Sequence, residues 1–435
     1  MDAESLARSV ISKLRGAGHQ AYLVGGCVRD LLLGVKPKDF DVSTDARPDR
    51  IMGLFPSSGR VGAHFGVVLV RDVFAQVEVA TFRSDNDYED GRRPASVHFE
   101  SDPRRDVLRR DFTINGLMMD PETRSVLDYV GGRADLDRRI LRAIGDPDLR
   151  FQEDHLRLLR AVRFAARLGF EIEPATFTAI QQHHALIRKV AAERVRDELS
   201  RILTEGGARR GFEMLDESGL LPDILPEVAA MKGVQQPPEY HPEGDVWVHT
   251  LLLLENLNHP TTTLALGALL HDVGKPPTFR VADRIRFDGH VEAGVHLAHG
   301  ILHRLRYSRD EMDRVESLVA YHMRFKDLHR MKDSTLKRFL RLPDFEEHLE
   351  LHRLDCLASH GGLENYDLAK RKLAEFSEEH LKPEPLLTGA DLIAVGFQPG
   401  PLFAQILSAV EDAQLEGRIS TFEQAITLVR EQFPR

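Results

Sequence analysis

Apolar residues recur at helical spacing from residue 4 to 17 and stop at glycines, which predicts an amphipathic first helix. A short apolar run follows, Tyr22, Leu23 and Val24, then a Gly25-Gly26 turn and a helical run beginning near Val28. The pattern then alternates, predicting a second strand with Asp39 and Asp41 on one face and Phe40 and Val42 on the other. A helical piece around Pro48 to Phe55 precedes two strand-like runs, Gly66 to Val70 and Phe74 to Phe82. Residues Arg83 to Pro94 are charged and nearly free of apolar side chains, which reads as a mobile loop.

Beyond residue 100 the period is helical almost throughout. Arg109, Arg110 and Asp111 head one apolar run, with Asp111 placed as an N-cap. Glycines in Asp128 to Asp137 suggest a hinge. In Phe151 to Phe170, Asp154, Arg157, Arg160 and Arg163 recur every third residue and so would descend one face of a helix, opposite Leu156, Leu159, Val162 and Phe164. Another helix covers Glu193 to Leu203, and five prolines between 220 and 245 mark a border. The last stretch, Leu386 to Phe433, reads as a helix, a turn and two more helices.

A chain of 435 residues is too long for one ordinary core, and two to four domains are expected. No apolar run reaches the ~18 residues of a membrane span, and no basic-then-apolar leader is evident, which points to a cytoplasmic protein with no membrane partner. Two cysteines, Cys27 and Cys356, are too few for a disulfide framework or a cysteine-ligated zinc site. The net charge of −10 excludes a generic polyanion binder. Residues 151 to 210 nevertheless carry eleven Lys or Arg against eight acids, so any nucleic acid would be bound locally.

The sharpest chemistry lies in YLVGGCVRDLLLGVKPKDFDVSTD, residues 22 to 45. Two carboxylates sharing a face, Asp39 and Asp41, are costly together unless a divalent cation neutralises them, and hard oxygen ligands suit Mg²⁺. Gly26 lets backbone N–H groups approach a polyphosphate, and Arg29 adds a fixed positive charge. This order of GGxVRD, LLG and DxD resembles the signature of the class II tRNA nucleotidyltransferases, the CCA-adding enzymes, in their bacterial type with an HD domain. The resemblance implies an α+β fold: a polymerase-beta-type head with a small mixed sheet (1–145), then all-helical neck (146–220), HD (221–380) and tail (381–435) regions.

It implies further roles. Glu78 is the candidate third carboxylate, the alternative being an ordinary exposed strand residue. The polar loop would favour completing the triplet with adenosine, or be a solvated linker. Arg110 and Asp111 would read the ribose 2′-hydroxyl, with simple helix capping the alternative for Asp111. Cytosine and adenine each offer an amino donor beside a ring-nitrogen acceptor, to which an accepting Asp154 and a donating Arg157 are complementary. Uracil and guanine meet the pair like against like, and such sites discriminate by roughly 10⁴ or more. The family's EDxxR motif, matched by Glu153, Asp154 and Arg157, implies a protein template for CTP and ATP, with Arg160 and Arg163 towards the triphosphate or the tRNA 3′ end.

Farther on, His249, His271, Asp272, His290, His322 and Asp355 resemble the ligand set of an HD-domain metallophosphohydrolase. Imidazole with carboxylate suits Mn²⁺, Ni²⁺, Co²⁺ or Fe²⁺. Lys275 would steer phosphate or be merely exposed. The expected enzyme adds CCA to tRNA, with a second 2′,3′-cyclic phosphodiesterase or phosphatase activity in the HD part. The alternatives are an A-adding or CC-adding enzyme, a poly(A) polymerase, or an HD nucleotide phosphohydrolase with a non-catalytic head.

Overall fold

The computed structural model describes residues 1–60, 66–88, 94–239, 241–376 and 381–434. They form two compact units, Met1–Ala229 and Ala230–Arg435.

The first unit opens with α1 (Ala3–Gly16), capped by the Asp2 side chain and burying Leu6, Ala7, Val10, Ile11 and Leu14 on one face. It packs on a seven-stranded mixed sheet. The strands are β1 (Ala21–Val24), β2 (Asp41–Thr44), β3 (Ser58–Arg60), β4 (Val67–Arg71), β5 (Gln76–Thr81), β8 (Met118–Met119) and β9 (Val126–Leu127), in the order β3-β4-β5-β2-β1-β8-β9. Helix α2 (Gly26–Leu32) lies between β1 and β2, and α3 (Pro48–Leu54) follows β2. The pair β2 and β5 is parallel, so Asp41 stands beside Glu78. In β5, Val77, Val79 and Thr81 point into the core while Gln76 and Glu78 are exposed, the alternation a half-buried strand requires.

The structure corrects several expectations here. The second strand starts at Asp41, leaving exposed Asp39 in the segment before it. The polar stretch from Arg83 is an antiparallel hairpin of β6 (Arg83–Tyr88) and β7 (Pro94–Phe99), whose tip lies outside the described residues. Asp111 caps no helix: α4 (Pro103–Leu108) ends before it, and a 3-10 turn spans Thr113–Asn115. The glycine-rich stretch expected as a hinge forms a hydrogen-bonded corner. Asp128 accepts from the backbone N–H groups of Val130, Gly132 and Arg133 at the start of α5 (Gly132–Arg138). A Cβ on Gly132 would lie 2.1 Å from the Thr113 carbonyl oxygen, so the glycine serves close packing.

The helical part of this unit also departs from one continuous stripe. Helix α6 (Pro147–Glu153) stops, Asp154 adopts an extended conformation, and α7 (Arg157–Leu168) begins afresh. Helices α8 (Pro174–His183), α9 (Ala192–Thr204), α10 (Ala208–Glu217), α11 (Leu220–Ile224) and α12 (Pro226–Ala229) follow, α7 packing against both α9 and α10.

Among the described residues the second unit is helical apart from a two-stranded hairpin at Arg280–Arg286 and an isolated bridge between Gln235 and Asp245. Its site rests on five helices: α13 (Val246–Glu255), α14 (Thr262–Leu270), α16 (His290–Arg304), α17 (Arg309–Tyr321) and α19 (Phe345–Ala358), with α15 (Lys275–Thr278) and α18 (Asp333–Leu340) among them. Gly274 lets α15 sit against α16, since a Cβ there would come within 2.0 Å of the His290 carbonyl oxygen. The C-terminal stretch has three helices, Gly389–Ala394, Leu402–Leu415 and Phe422–Gln432, around Leu392, Ile406, Val410, Ala425 and Val429.

Candidate functional sites

A cleft of about 510 Å³ in the first unit is lined by Gly25, Gly26, Arg29, Asp39, Asp41, Arg110, Asp111, Asp154, Arg157, Arg160 and Arg163, among others. Residues more than a hundred positions apart thus converge on one space. Glu78 does not line it but adjoins Asp41 across the sheet. The Asp41 carboxyl is pushed up to about 6, first by burial and then by Glu78, against the pull of Arg110. Three oxygen-donor side chains crowded enough to lift one of them in this way fit a hard divalent cation.

Several arginines have partners that the sequence does not announce. Buried Arg29 donates to Asp30 at 2.6 and 2.8 Å and to Asn115 at 2.7 Å, so it braces the floor of the cleft. Arg163 is held by Glu198 at 2.6 Å and is likewise committed within the protein. Arg109 and Arg110 both bond the fully buried Asp106, at 2.6 and 2.9 Å. Burial acts to raise Asp106, but the two guanidiniums outweigh it and hold its carboxyl below the usual range. Arg110 also reaches Ser43 Oγ at 3.3 Å, and its buried Nε has no partner among the described residues.

Asp111 takes Arg160 at 2.6 Å and accepts from Asn115 and the Phe112 N–H. Burial would raise its carboxyl, yet the Arg160 charge holds it down at about 2. Glu153 accepts from Arg150 at 2.8 Å and Arg157 at 2.7 Å, and Arg157 donates further to the carbonyls of Arg150 and Arg109. Asp154 takes Arg194 at 3.1 and 3.2 Å and the Leu156 N–H at 3.1 Å. Asp154 and Arg157 therefore both face the cleft with separate partners. The Phe164 ring lies 5.3 Å from the Arg29 and Arg160 guanidiniums and 4.1 Å from that of Arg163. Asp106 was not singled out in the sequence, although its place three and four positions before the two arginines is the spacing of a helical ion pair. Arg194, forty residues from Asp154, gave no such signal.

The second unit holds a separate cluster. His271, His290 and His322 each place Nδ1 at 2.7–2.9 Å from a backbone carbonyl, of Ala268, Phe287 and Val319. A carbonyl only accepts, so Nδ1 carries the hydrogen and Nε2 the lone pair. Those Nε2 atoms are buried and make no hydrogen bond among the described residues, with the Asp272 carboxylate 3.2 Å from that of His271 and 3.7 Å from that of His322. Burial pushes His322 down to about 4, keeping it neutral. His249 places Nδ1 on Glu243 at 2.7 Å and Nε2 3.0 Å from Asp355. Among the described residues three triads emerge, His241 with Glu243 and His249, His249 with His271 and Asp355, and Asp272 with His290 and His322, each with ligand atoms within 4.8 Å of one another. Buried imidazoles facing carboxylates, with an Nε2 lone pair on His271, His290 and His322, fit a transition metal.

Lys275 is buried, not exposed: Nζ bonds Asp272 and Gln236, each at 2.6 Å. A cavity of about 840 Å³ opens over this cluster, lined also by Arg284, Arg286, Phe287 and Lys326. Glu243 and Gln236 were not singled out in the sequence, because neither sits in a histidine-bearing segment with a recognisable order.

Three family descriptions match the chain: a poly A polymerase head domain over residues 21–142, a probable RNA and SrmB-binding site of polymerase A over 169–232, and an HD domain over 245–347. The chain is 45% identical over 215 residues to a CCA-adding enzyme of Levilactobacillus brevis, a match spanning 49% of this chain and about half, 54%, of that relative. With a CCA-adding enzyme of Streptococcus mutans it shares 32% over 424 residues, 97% of this chain and 95% of the other. A crystal structure of the Bacillus stearothermophilus CCA-adding enzyme in complex with CTP superposes with a TM-score of 0.76 at 26% identity, covering 99% of both chains.

Proposed function

The chain belongs to the CCA-adding enzymes, and from that premise we propose that its first unit adds C, C and A to tRNA 3′ ends from CTP and ATP without a nucleic-acid template, releasing pyrophosphate. The observation that carries this reading is the state of the Asp154 and Arg157 side chains. Both Nη1 hydrogens and one Nη2 hydrogen of Arg157 are taken up by Arg150, Glu153 and Arg109, which leaves Nε–H and one Nη2–H. Asp154 Oδ1 is filled by Leu156 and Arg194, and Oδ2 by Arg194 alone, which leaves an acceptor position on Oδ2. That acceptor and one of the donors complement the amino and ring-nitrogen edge shared by C and A.

Asp39 and Asp41, with Glu78 adjoining, would hold Mg²⁺. Bound there, two such ions supply activation of the terminal hydroxyl and neutralisation of the phosphate charge. Arg110, anchored by Asp106, carries positive charge beside Asp41, and Asp111 offers a carboxylate for the ribose hydroxyl. Gly25 and Gly26 leave room for a triphosphate beside them. Work on tRNA would place the protein in the cytoplasm. The head, neck, HD and tail division at 145, 220 and 380 is proposed on the same footing.

The test is incubation with tRNA ending before CCA, with CTP alone, ATP alone or both. The expected outcome is two cytidines with CTP alone and completion only with both. Growth of long A tails on generic RNA would reject the reading in favour of a poly(A) polymerase; addition of only A or only CC would mark a partial enzyme. The hairpin tip, which bears on that distinction in the sequence, lies outside the described residues.

A second reading is favoured by the imidazole cluster. His249, His271, Asp272, His290, His322 and Asp355 would hold Mn²⁺, Ni²⁺, Co²⁺ or Fe²⁺, which when bound supplies a nucleophilic water. Basic Arg284, Arg286 and Lys326 at the cavity suit a phosphorylated substrate, so this unit is proposed as a phosphohydrolase, with cyclic phosphodiester or monoester substrates. An enzyme with this activity and no nucleotide addition would make the head a binding module only.

A further inference from the structure

Asp154 stands where the chain is not helical, at φ −140 and ψ 103 between the end of α6 and the start of α7. No helical neighbour therefore fixes the direction of its carboxylate. Two restraints do: the Leu156 N–H on Oδ1, and Arg194 Nη2, which straddles both oxygens at 3.1 and 3.2 Å. Arg194 comes from the first turn of α9, and α9 is tied to α7 by Glu198 on Arg163 and Glu205 on Arg167, at 2.6 and 3.4 Å. Arg194 does not itself line the cleft. It approaches Asp154 from outside the space that a nucleotide would occupy.

We propose that Arg194 is a positioning residue that sets nucleotide specificity, by holding Asp154 turned to the base edge and separate from Arg157; this rests on the template reading above. Asp154 and Arg157 are three residues apart and of opposite charge. Released from Arg194, the carboxylate is free to turn to the donors of Arg157, and the two side chains then satisfy each other. A self-paired template presents no fixed order of acceptor and donor, so a uracil carbonyl is no longer met by a carboxylate. Discrimination falls first, because roughly 10⁴ in preference depends on unpaired groups being unable to adjust.

The experiment measures kcat/KM for CTP and UTP on tRNA lacking its CCA end, for the wild type, Arg194→Ala and Arg194→Lys, with thermal unfolding of each. The wild type is expected to prefer CTP. In Arg194→Ala the CTP:UTP ratio is expected to fall tenfold or more, and Arg194→Lys, which keeps a cation in reach of Asp154, is expected to hold it within tenfold of the wild type. If Arg194 instead contacted the tRNA backbone, or merely stabilised the fold, kcat/KM would drop for both nucleotides alike. A ratio changed less than tenfold in a folded Arg194→Ala protein overturns the proposal. Should that variant fail to fold, Arg194→Gln is judged by the same threshold. A wild type without preference for CTP would defeat the template reading itself, a result distinguishable from failure of the Arg194 role alone.

Discussion

Asp111 shows how one buried carboxylate is kept charged by a neighbour. It is 8% exposed and held down at about 2 because the Arg160 guanidinium outweighs the cost of burial. A folded value below the unfolded one means stability present above about pH 4 and lost as the pH falls towards 2. A depression from 3.8 to about 2 corresponds to about 2 kcal/mol. Asp111→Asn is therefore expected to lower unfolding free energy by about that amount at pH 6, with the gap from wild type closing between pH 4 and pH 2; denaturant titrations across that range check it. At this scale the sequence was legible for which residues gather, since every candidate of the head motifs reached the cleft or its edge. It was silent on their partners. Arg29 and Arg163 looked available for phosphate, and only the fold reveals that Asp30, Asn115 and Glu198 already occupy them.

At the level of elements, spacing misled where a helix breaks without glycine or proline. The i, i+3 repeat of Asp154, Arg157, Arg160 and Arg163 continues through the interruption, so periodicity reported one helix where α6 and α7 meet. The hairpin of β6 and β7 was read as a loop because its first strand, RSDNDY, has none of the apolar alternation that marks a half-buried strand. Close approach of elements is equally hidden. Gly274 sets α15 on α16, and a methyl group there would have to displace the backbone of His290, a residue of the imidazole cluster. Gly274→Ala is expected to lower metal affinity of the second unit at least tenfold, measured by competition with a chelator, while nucleotide addition continues.

For the whole molecule, two chemistries sit in separate compact units, one built from oxygen ligands and arginines, the other from imidazoles. Their separation gives a plain expectation: Asp41→Ala abolishes nucleotide addition, whereas His271→Ala spares it and removes the proposed phosphohydrolase activity. Assaying both reactions on both variants checks it, and loss of addition in His271→Ala would contradict the division of labour. Within the first unit, Arg157 donates to the Arg109 carbonyl and Arg160 clasps Asp111, so the segment proposed to sense the sugar is stitched to the helix proposed to sense the base. Recognition at the two ends of a nucleoside is then one cooperative event. A substrate lacking its 2′-hydroxyl would loosen the grip at the far end too, and misreading of bases would rise with misreading of sugars.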